Sequence, residues 1–120
     1  MKTIVSTLLI VFAFTFAFGQ NTAFVKAPSD LTSIKETGKG HITLPERLTK
    51  EEVQSKAKYY TLYFTVDFDE KSKVATINMV ENNERSRAII VRFLAGCEVQ
   101  NVTVGNETIN RDLVFEKYLK

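Results

Sequence analysis

Apolar and polar residues alternate strictly over residues 59–68, YYTLYFTVDF, and this is the clearest pattern in the chain. One set of alternate positions is wholly apolar and consists of Tyr60, Leu62, Phe64, Val66 and Phe68. The other set carries Tyr59, Thr61, Tyr63, Thr65 and Asp67. Alternation over β-favouring residues is typical of a strand with one buried face, so the pattern predicts a strand over residues 59–68.

A second strand follows close behind the first. Residues 69–72, Asp-Glu-Lys-Ser, form a polar turn, and alternation resumes over residues 73–80 with Ala75, Ile77 and Met79 on the inward side. The spacing predicts a β-hairpin closed by a loop of about four residues.

A helix-start signal lies upstream of the hairpin. Thr49 and Glu52 have the spacing of a capping box, and Leu48 and Val53 are placed to form a hydrophobic staple around it. These signals predict a helix over residues 50–58.

The stretch RAIIVRFLAGC, residues 87–97, permits two interpretations. Its β-branched Ile-Ile-Val favours a strand, but a strand would bury Arg92 among apolar neighbours, which is costly for an unpaired charge. A helix instead places Arg85 and Arg92 on one solvent-facing stripe and leaves a broad apolar side for the core. Gly96 would then be the C′ residue, which lies just beyond the helical residues and ends the helix. We prefer the helix over residues 84–95 and keep the strand as the alternative.

Weaker signals complete the order of elements. Residues 41–44 and 98–104 have the composition of short strands, and residues 105–106 form a turn. Asn110 and Asp112 can open a last short helix. The predicted order is βαββαβ followed by a C-terminal helix. This order indicates an α+β fold, a small two-layer α/β sandwich with a ferredoxin-like topology and one open sheet face.

Two segments carry a resemblance to a known family. Residues 66–68 with residues 73–77 are similar to a V-x-V-D…A-x-V hairpin, and residues 88–96 are similar to a helix that ends in Ala-Gly. In these features, over roughly residues 41–104, the chain resembles the ferredoxin-like, heavy-metal-associated domains. The resemblance implies the fold alone, because the family's CxxC metal loop is replaced here by ITLPERLTKEE. No metal ligand is therefore carried over to any residue.

The N-terminal segment has the pattern of a bacterial export signal. Lys2 precedes an apolar run over residues 8–18, and Ala17 and Gly19 supply small residues before a cleavage point. The pattern predicts a Sec signal peptide over residues 1–19 and a protein exported to the periplasm or the extracellular space. A retained membrane anchor is the alternative, although the run is short against the roughly 20 residues of a bilayer span.

The rest of the chain is predicted to hold one domain. Residues 20–40 are mostly polar, with Pro28, Gly38 and Gly40 as turn signals, and are predicted to be a flexible leader. Residues 41–120 then form a single α+β domain. The formal net charge of the chain is only +2, without a concentrated basic patch, so a nucleic-acid partner is not expected. No second apolar segment is long enough to span a membrane after signal cleavage.

Few residues are suited to metal or covalent chemistry. The chain has one cysteine, Cys97, and one histidine, His41, whereas a zinc site needs three or four ligands. No catalytic motif is present, so we expect neither an enzyme nor a bound cofactor. Cys97 is predicted to be a buried small residue. The alternative is an envelope metal-binding or thiol-redox protein that acts through Cys97.

The predicted open sheet face is the main functional candidate. It would carry Tyr59, Thr61, Tyr63 and Thr65, and tyrosines offer a large contact area at a low entropic cost. The sequence therefore predicts a secreted, non-enzymatic interaction module whose partner is another protein or a second copy of the chain.

Overall fold

The computed structural model describes residues 21–120, so the predicted signal peptide or anchor lies outside the described residues. These residues form a six-stranded mixed sheet with helices packed on it, and the predicted α+β class is confirmed. The strands are β1 (Thr22–Val25), β2 (Lys39–Thr43), β3 (Phe64–Asp69), β4 (Val74–Met79), β5 (Asn101–Val104) and β6 (Glu107–Asn110). The α-helices are α1 (Ser29–Thr37), α2 (Lys50–Ala57) and α3 (Glu84–Gly96).

The sheet has the strand order β3-β4-β2-β1-β5-β6. All neighbours are antiparallel except β1 and β5, which run parallel. The side chains on one face, together with those of the helices, form the single hydrophobic core. The predicted hairpin is present as β3 and β4, and residues 70–73 form its loop.

The predicted helix α2 begins as the sequence indicates. The Thr49 side chain accepts a hydrogen bond from the Glu52 backbone N–H, and the Glu52 carboxylate accepts one from the Thr49 N–H. Leu48 and Val53, the expected staple residues, are both buried. The capping box therefore fixes the point at which the chain enters the helix.

The hairpin loop also holds the start of α2. The Glu70 carboxylate accepts a hydrogen bond from the Lys50 backbone N–H at 2.9 Å, where the positive end of the helix dipole favours an anion. The Lys73 ammonium group donates to the Leu48 carbonyl oxygen at 2.8 Å. Two residues of the loop thus satisfy backbone groups on either side of Thr49.

The helix interpretation of residues 84–95 is confirmed by α3. Its first turn is capped by Asn83, whose side-chain oxygen accepts from the Ser86 backbone N–H at 2.8 Å. Arg92 is exposed, as the helix predicts. Phe93 is fully buried in the core. The prediction that Gly96 is the left-handed residue ending the helix is wrong, because α3 includes Gly96 and Glu98 takes the positive φ of 61°.

The prediction of a flexible leader over residues 20–40 is wrong from residue 22 onward. This segment forms β1 and α1, and β1 lies inside the sheet between β2 and β5. Ala23 and Val25 of β1 and Leu31 and Ile34 of α1 are buried in the core. These elements are difficult to recognise in the sequence, because each contributes only two fully buried apolar residues. Two residues are too few to show the hydrophobic periodicity of a strand or a helix.

The C-terminal region also differs from the expectation. A turn at Gly105 leads into β6, which was not predicted, and Asn110 then caps a 3₁₀ turn by accepting from the Asp112 N–H at 2.9 Å. The chain ends in a π-helical segment, Phe115–Leu119, instead of a regular α-helix. Leu119 is nevertheless fully buried, so this segment completes the core.

Helix α1 lies very close to β2 at Gly40. A Cβ atom at Gly40 would stand 2.4 Å from the Asp30 carbonyl oxygen and 2.4 Å from the Ile34 Cγ1 atom. One of these is a backbone atom, which cannot move without displacing α1. The absence of a side chain at residue 40 therefore sets the distance between α1 and the sheet.

We expect Gly40→Ala to lower the free energy of unfolding by about 1–3 kcal/mol or more, since the added methyl group overpacks the contact with α1. Urea unfolding followed by circular dichroism measures the change. Gly96→Ala is the matched control, because its Cβ would meet only the Lys56 Cδ atom at 3.7 Å. Alanine in a helix is favoured over glycine by about 0.5–1 kcal/mol, so this variant is expected to be at least as stable as the native chain. Equal unfolding midpoints for Gly40→Ala and the native chain would contradict the close contact.

Candidate functional site

The four residues predicted to line an interaction surface do not share a sheet face. Tyr59 lies in a 3₁₀ turn, Lys58–Tyr60, that continues from α2, and Thr61 and Tyr63 lie in the turn after it. Only Thr65 is in a strand, since β3 begins at Phe64. The prediction of one strand over residues 59–68 is therefore wrong in its first half.

Aromatic packing explains why the alternating pattern misleads here. The Tyr60 ring stacks on Phe64 with 5.9 Å between ring centroids, and it meets Phe93 of α3 edge-on at 6.4 Å. A helical turn brings Tyr60 to this position, whereas Leu62, expected in the core, is 80% exposed. Over β3, the alternation of apolar and polar residues corresponds to the two faces of a strand. Over residues 59–63, the same alternation occurs in a sequence that forms turns.

A solvent-accessible sheet face does exist, and a different residue lies at its centre. The face is opposite the helices, and among the described residues no element covers it. One cross-strand row runs through all six strands, and we call it the Phe24 row. In the order of the strands, it consists of Asp69, Val74, Thr43, Phe24, Thr103 and Thr108. Phe24 is 46% exposed, which is unusual for a phenylalanine in a central strand.

Hydrogen bonds between neighbouring strands order the side chains on this face. The Thr103 and Thr108 hydroxyls are 2.8 Å apart within the Phe24 row. In the adjacent row, the His41 Nδ1 atom lies 3.0 Å from the Thr76 hydroxyl. These pairs hold side chains beside Phe24 in fixed positions, so the part of the face next to Phe24 is preformed.

The Phe24 row ends on a negative charge. The Asp69 carboxylate accepts hydrogen bonds from the Ser72 hydroxyl and from the Lys71 backbone N–H, and these bonds hold the pKa of Asp69 below its usual value. Asp69 is fully exposed at the edge of the sheet. The charged group therefore lies at the rim, three strand positions away from Phe24.

Phe24 lies in the segment predicted to be a flexible leader, so the sequence analysis does not place it in a strand. The signal that was available is the short alternation Thr22-Ala23-Phe24-Val25, in which Ala23 and Val25 face the core. The proline and aspartate that follow mark the start of α1. A strand of four residues is too short to be distinguished from a loop by periodicity alone.

Cys97, the second candidate, is buried at the end of α3. Its side chain is in the core with 2% exposure, as the sequence predicted. Burial raises the pKa of the Cys97 thiol to about 11, against smaller lowering effects of Lys56 and Arg47. The thiolate is the reactive form of a cysteine, so burial disfavours that form of Cys97 at neutral pH.

Arg47 binds the backbone at the end of the same helix. Its Nη2 atom donates to the carbonyl oxygens of Cys97 and Glu98, each at 3.0 Å. A cation is favoured at this position, because the last carbonyl groups of a helix carry its partial negative charge. Arg47 thus stabilises the backbone turn in which Glu98 takes its left-handed conformation.

A shallow cleft of about 320 Å³ lies over this helix end. Its lining includes Arg47, Glu52, Lys56 and Cys97.

Among the described residues, no three metal-ligating side chains lie close enough to hold an ion. His41 lies on the exposed sheet face and Cys97 in the core, so the histidine and the cysteine do not form a common site. Within residues 21–120, no helix has the length and apolar character needed to cross a bilayer.

Replacing Arg47 by methionine is expected to lower the free energy of unfolding by about 1–3 kcal/mol, because two carbonyl groups lose a charged donor. Arg92→Met, on the exposed side of α3, is the control and should change stability by less than about 0.5 kcal/mol. Chemical unfolding measures both. Equal losses in the two variants would show that the helix end does not depend on Arg47.

Alkylation distinguishes a buried Cys97 from a reactive one. Iodoacetamide at pH 8 is expected to leave the folded protein unmodified and to modify the chain fully in 6 M guanidinium, since unfolding exposes the thiol and restores its ordinary pKa. Mass spectrometry measures the added group. Rapid modification of the folded protein would restore Cys97 as a candidate site.

Comparisons of the chain with protein-family models, with curated proteins and with solved structures gave no match. The function is therefore argued from the geometry of the described residues.

Proposed function

We propose that the protein is a non-enzymatic binding module that holds a protein partner on its open sheet face. One observation carries the proposal: Phe24 is 46% exposed at the middle of a cross-strand row that extends over all six strands. Covering an exposed aromatic side chain with a partner removes apolar surface from water, and aromatic residues are common anchors in protein interfaces.

The surroundings of Phe24 support a protein partner of low charge. Its neighbours in register, Thr43 and Thr103, are uncharged, and their hydroxyls can both donate and accept hydrogen bonds. The cores of protein interfaces are depleted in charged residues and enriched in aromatic ones. A nucleic acid would instead require a basic surface, whereas Thr43 and Thr103 beside Phe24 carry no charge.

The thiol alternative receives less support. Cys97 is buried, its pKa is raised to about 11, and among the described residues no group of three metal-ligating side chains lies together. We therefore propose no metal or redox function for Cys97.

Export is part of the proposal. The export-signal pattern of residues 1–19 supports a mature protein that works in the periplasm or outside the cell. The single cysteine does not form a disulfide within the chain, so the module is held together without one.

We also propose that the scaffold is a ferredoxin-like unit with an inserted strand. The succession β2-α2-β3-β4-α3-β5 has the predicted βαββαβ order. Strands β2 and β3 are parallel to each other and separated by β4, as in a split βαβ unit. The second unit departs from the simple pattern, because both β2 and β1 lie between β4 and β5.

Photo-crosslinking from residue 24 tests the proposed surface. A benzoylphenylalanine replaces Phe24 in one variant and Arg92, on the opposite side of the domain, in the control, and both are expressed in the native cell. We expect a protein adduct from residue 24 that is absent from residue 92. Mass spectrometry identifies the partner.

The identified partner is then purified and titrated against three chains. Phe24→Ser is expected to weaken binding at least tenfold, which is the size of effect found at interface anchors, whereas Arg92→Ser is expected to bind as the native chain does. Circular dichroism confirms that each variant is folded. Equal affinity of Phe24→Ser and the native chain would overturn the proposed face.

A further inference from the structure

The open sheet face carries an acidic group and a basic group on different strands. Phe68 of β3 is buried in the core, so the alternation of side chains along a strand places Asp69 on the open face. Ile42 of β2 is also buried, which places Lys39 on the same open face. Both charged side chains belong to exposed residues, so a partner on this face meets a carboxylate and an ammonium group.

Apolar side chains lie near the two charged groups on this face. Phe24 is 46% exposed, and Val74 is partly exposed in the same cross-strand row, with Thr43 between them. Asp69 ends this row at the edge of the sheet. An apolar centre with charged groups at its rim is the usual composition of a protein interface.

The two charged groups are placed symmetrically about a diagonal of the sheet. Thr76 lies one strand and one row from Asp69, and one strand and one row from Lys39, so it is midway between them. Strands about 4.8 Å apart, with about 3.4 Å per residue, put Phe24 about 14 Å from each charged residue. The line from Thr76 to Phe24 is therefore equally distant from the acid and the base.

From this geometry we infer that the partner on the open face is a second copy of this chain, packed face to face about a two-fold axis along the line from Thr76 to Phe24. The inference rests on the proposed function and names its partner. Such an axis places Asp69 of each copy opposite Lys39 of the other. The two Phe24 side chains meet on the axis, where each covers the apolar surface of the other.

The Asp69 carboxylate has room for this contact. It already accepts hydrogen bonds from the Ser72 hydroxyl and from the Lys71 backbone N–H. An ionised carboxylate has about four acceptor positions, so two remain for an ammonium group. The two hydrogen bonds within the chain also fix the direction of the carboxylate before a second copy arrives.

Charge favours the diagonal over the two simpler axes through Phe24. An axis along the Phe24 row places Asp69 opposite Asp69 of the other copy, and like charges that face each other are unfavourable. An axis along β1 places Asp69 beyond the β6 edge of the other copy, because three strands lie on one side of β1 and two on the other. The diagonal axis is the one of the three that joins each acid to a base.

The size of the face sets the strength of the contact. Six strands of four to six residues span on the order of 400 Å², whereas a standard interface buries about 800 Å² of accessible surface on each partner. About the diagonal axis, the strands of the two copies cross steeply, as in orthogonally packed sheets. We therefore expect a weak dimer whose population rises with concentration.

Reversed charges test the pairing by sedimentation equilibrium. Lys39→Asp brings acids together and Asp69→Lys brings bases together, so each variant alone is expected to raise the dimer dissociation constant about tenfold over that of the native chain. An equimolar mixture of the two is expected to associate as the native chain does, because each facing pair in the heterodimer again joins an acid to a base. Arg92→Asp, on the exposed side of α3, is the control and should dimerise normally.

Circular dichroism establishes that each charge variant is folded before it is mixed. A mixture of folded variants that associates no better than either variant alone would overturn the inferred axis. A native chain that remains a monomer across the accessible concentration range would overturn the dimer itself, and this measurement does not depend on any substitution.

Photo-crosslinking from residue 24 separates this inference from the proposed function. An adduct between two copies of the chain supports both. An adduct with a different protein, together with a monomeric native chain, contradicts the dimer and leaves the binding function of the open face in place. The absence of any adduct, together with a monomeric native chain, contradicts both.

Discussion

Strand β1 joins the two halves of the sheet, because its only neighbours are β2 and β5. It pairs antiparallel with one and parallel with the other, so four residues connect the β3-β4-β2 block to the β5-β6 hairpin. Ala23 and Val25 anchor β1 in the core on one side, and Phe24 faces solvent on the other. The open face and its central row therefore exist only because this short strand is in place.

Backbone carbonyl groups at the ends of elements are held by arginines. Arg87 Nε donates to the Leu119 carbonyl oxygen at 2.7 Å, and Arg111 Nη1 donates to that of Val99 at 2.8 Å. Arg47 has the same role at the end of α3. A domain of this size without a disulfide relies on its core and on such charged donors, which are stronger than neutral hydrogen bonds.

Local signals in the sequence predict local structure well. They fail where contacts between distant parts of the chain determine the conformation of a segment. The capping box at Thr49 and the charge pattern around Arg92 were sufficient for α2 and α3, because each depends on residues within one or two turns. Phe24 could not be recognised as a surface residue, since its position depends on β5, which lies near the other end of the chain. Tyr59 and Tyr63 were misplaced because the packing of Tyr60 on Phe64 and Phe93 draws the chain into a helical turn.

The position of β1 also determines the order in which the fold can be completed. The β3–β4 hairpin closes a short loop and can form early, and the hydrogen bonds from Glu70 and Lys73 join it to the start of α2. The β1–β5 pairing must instead close a loop that spans most of the described chain, and such contacts are slow to form. Until β5 pairs with β1, the side of β1 that faces β5 has unpaired backbone groups. A partly folded chain would therefore be most susceptible to incorrect strand pairing at β1, in the middle of the sheet.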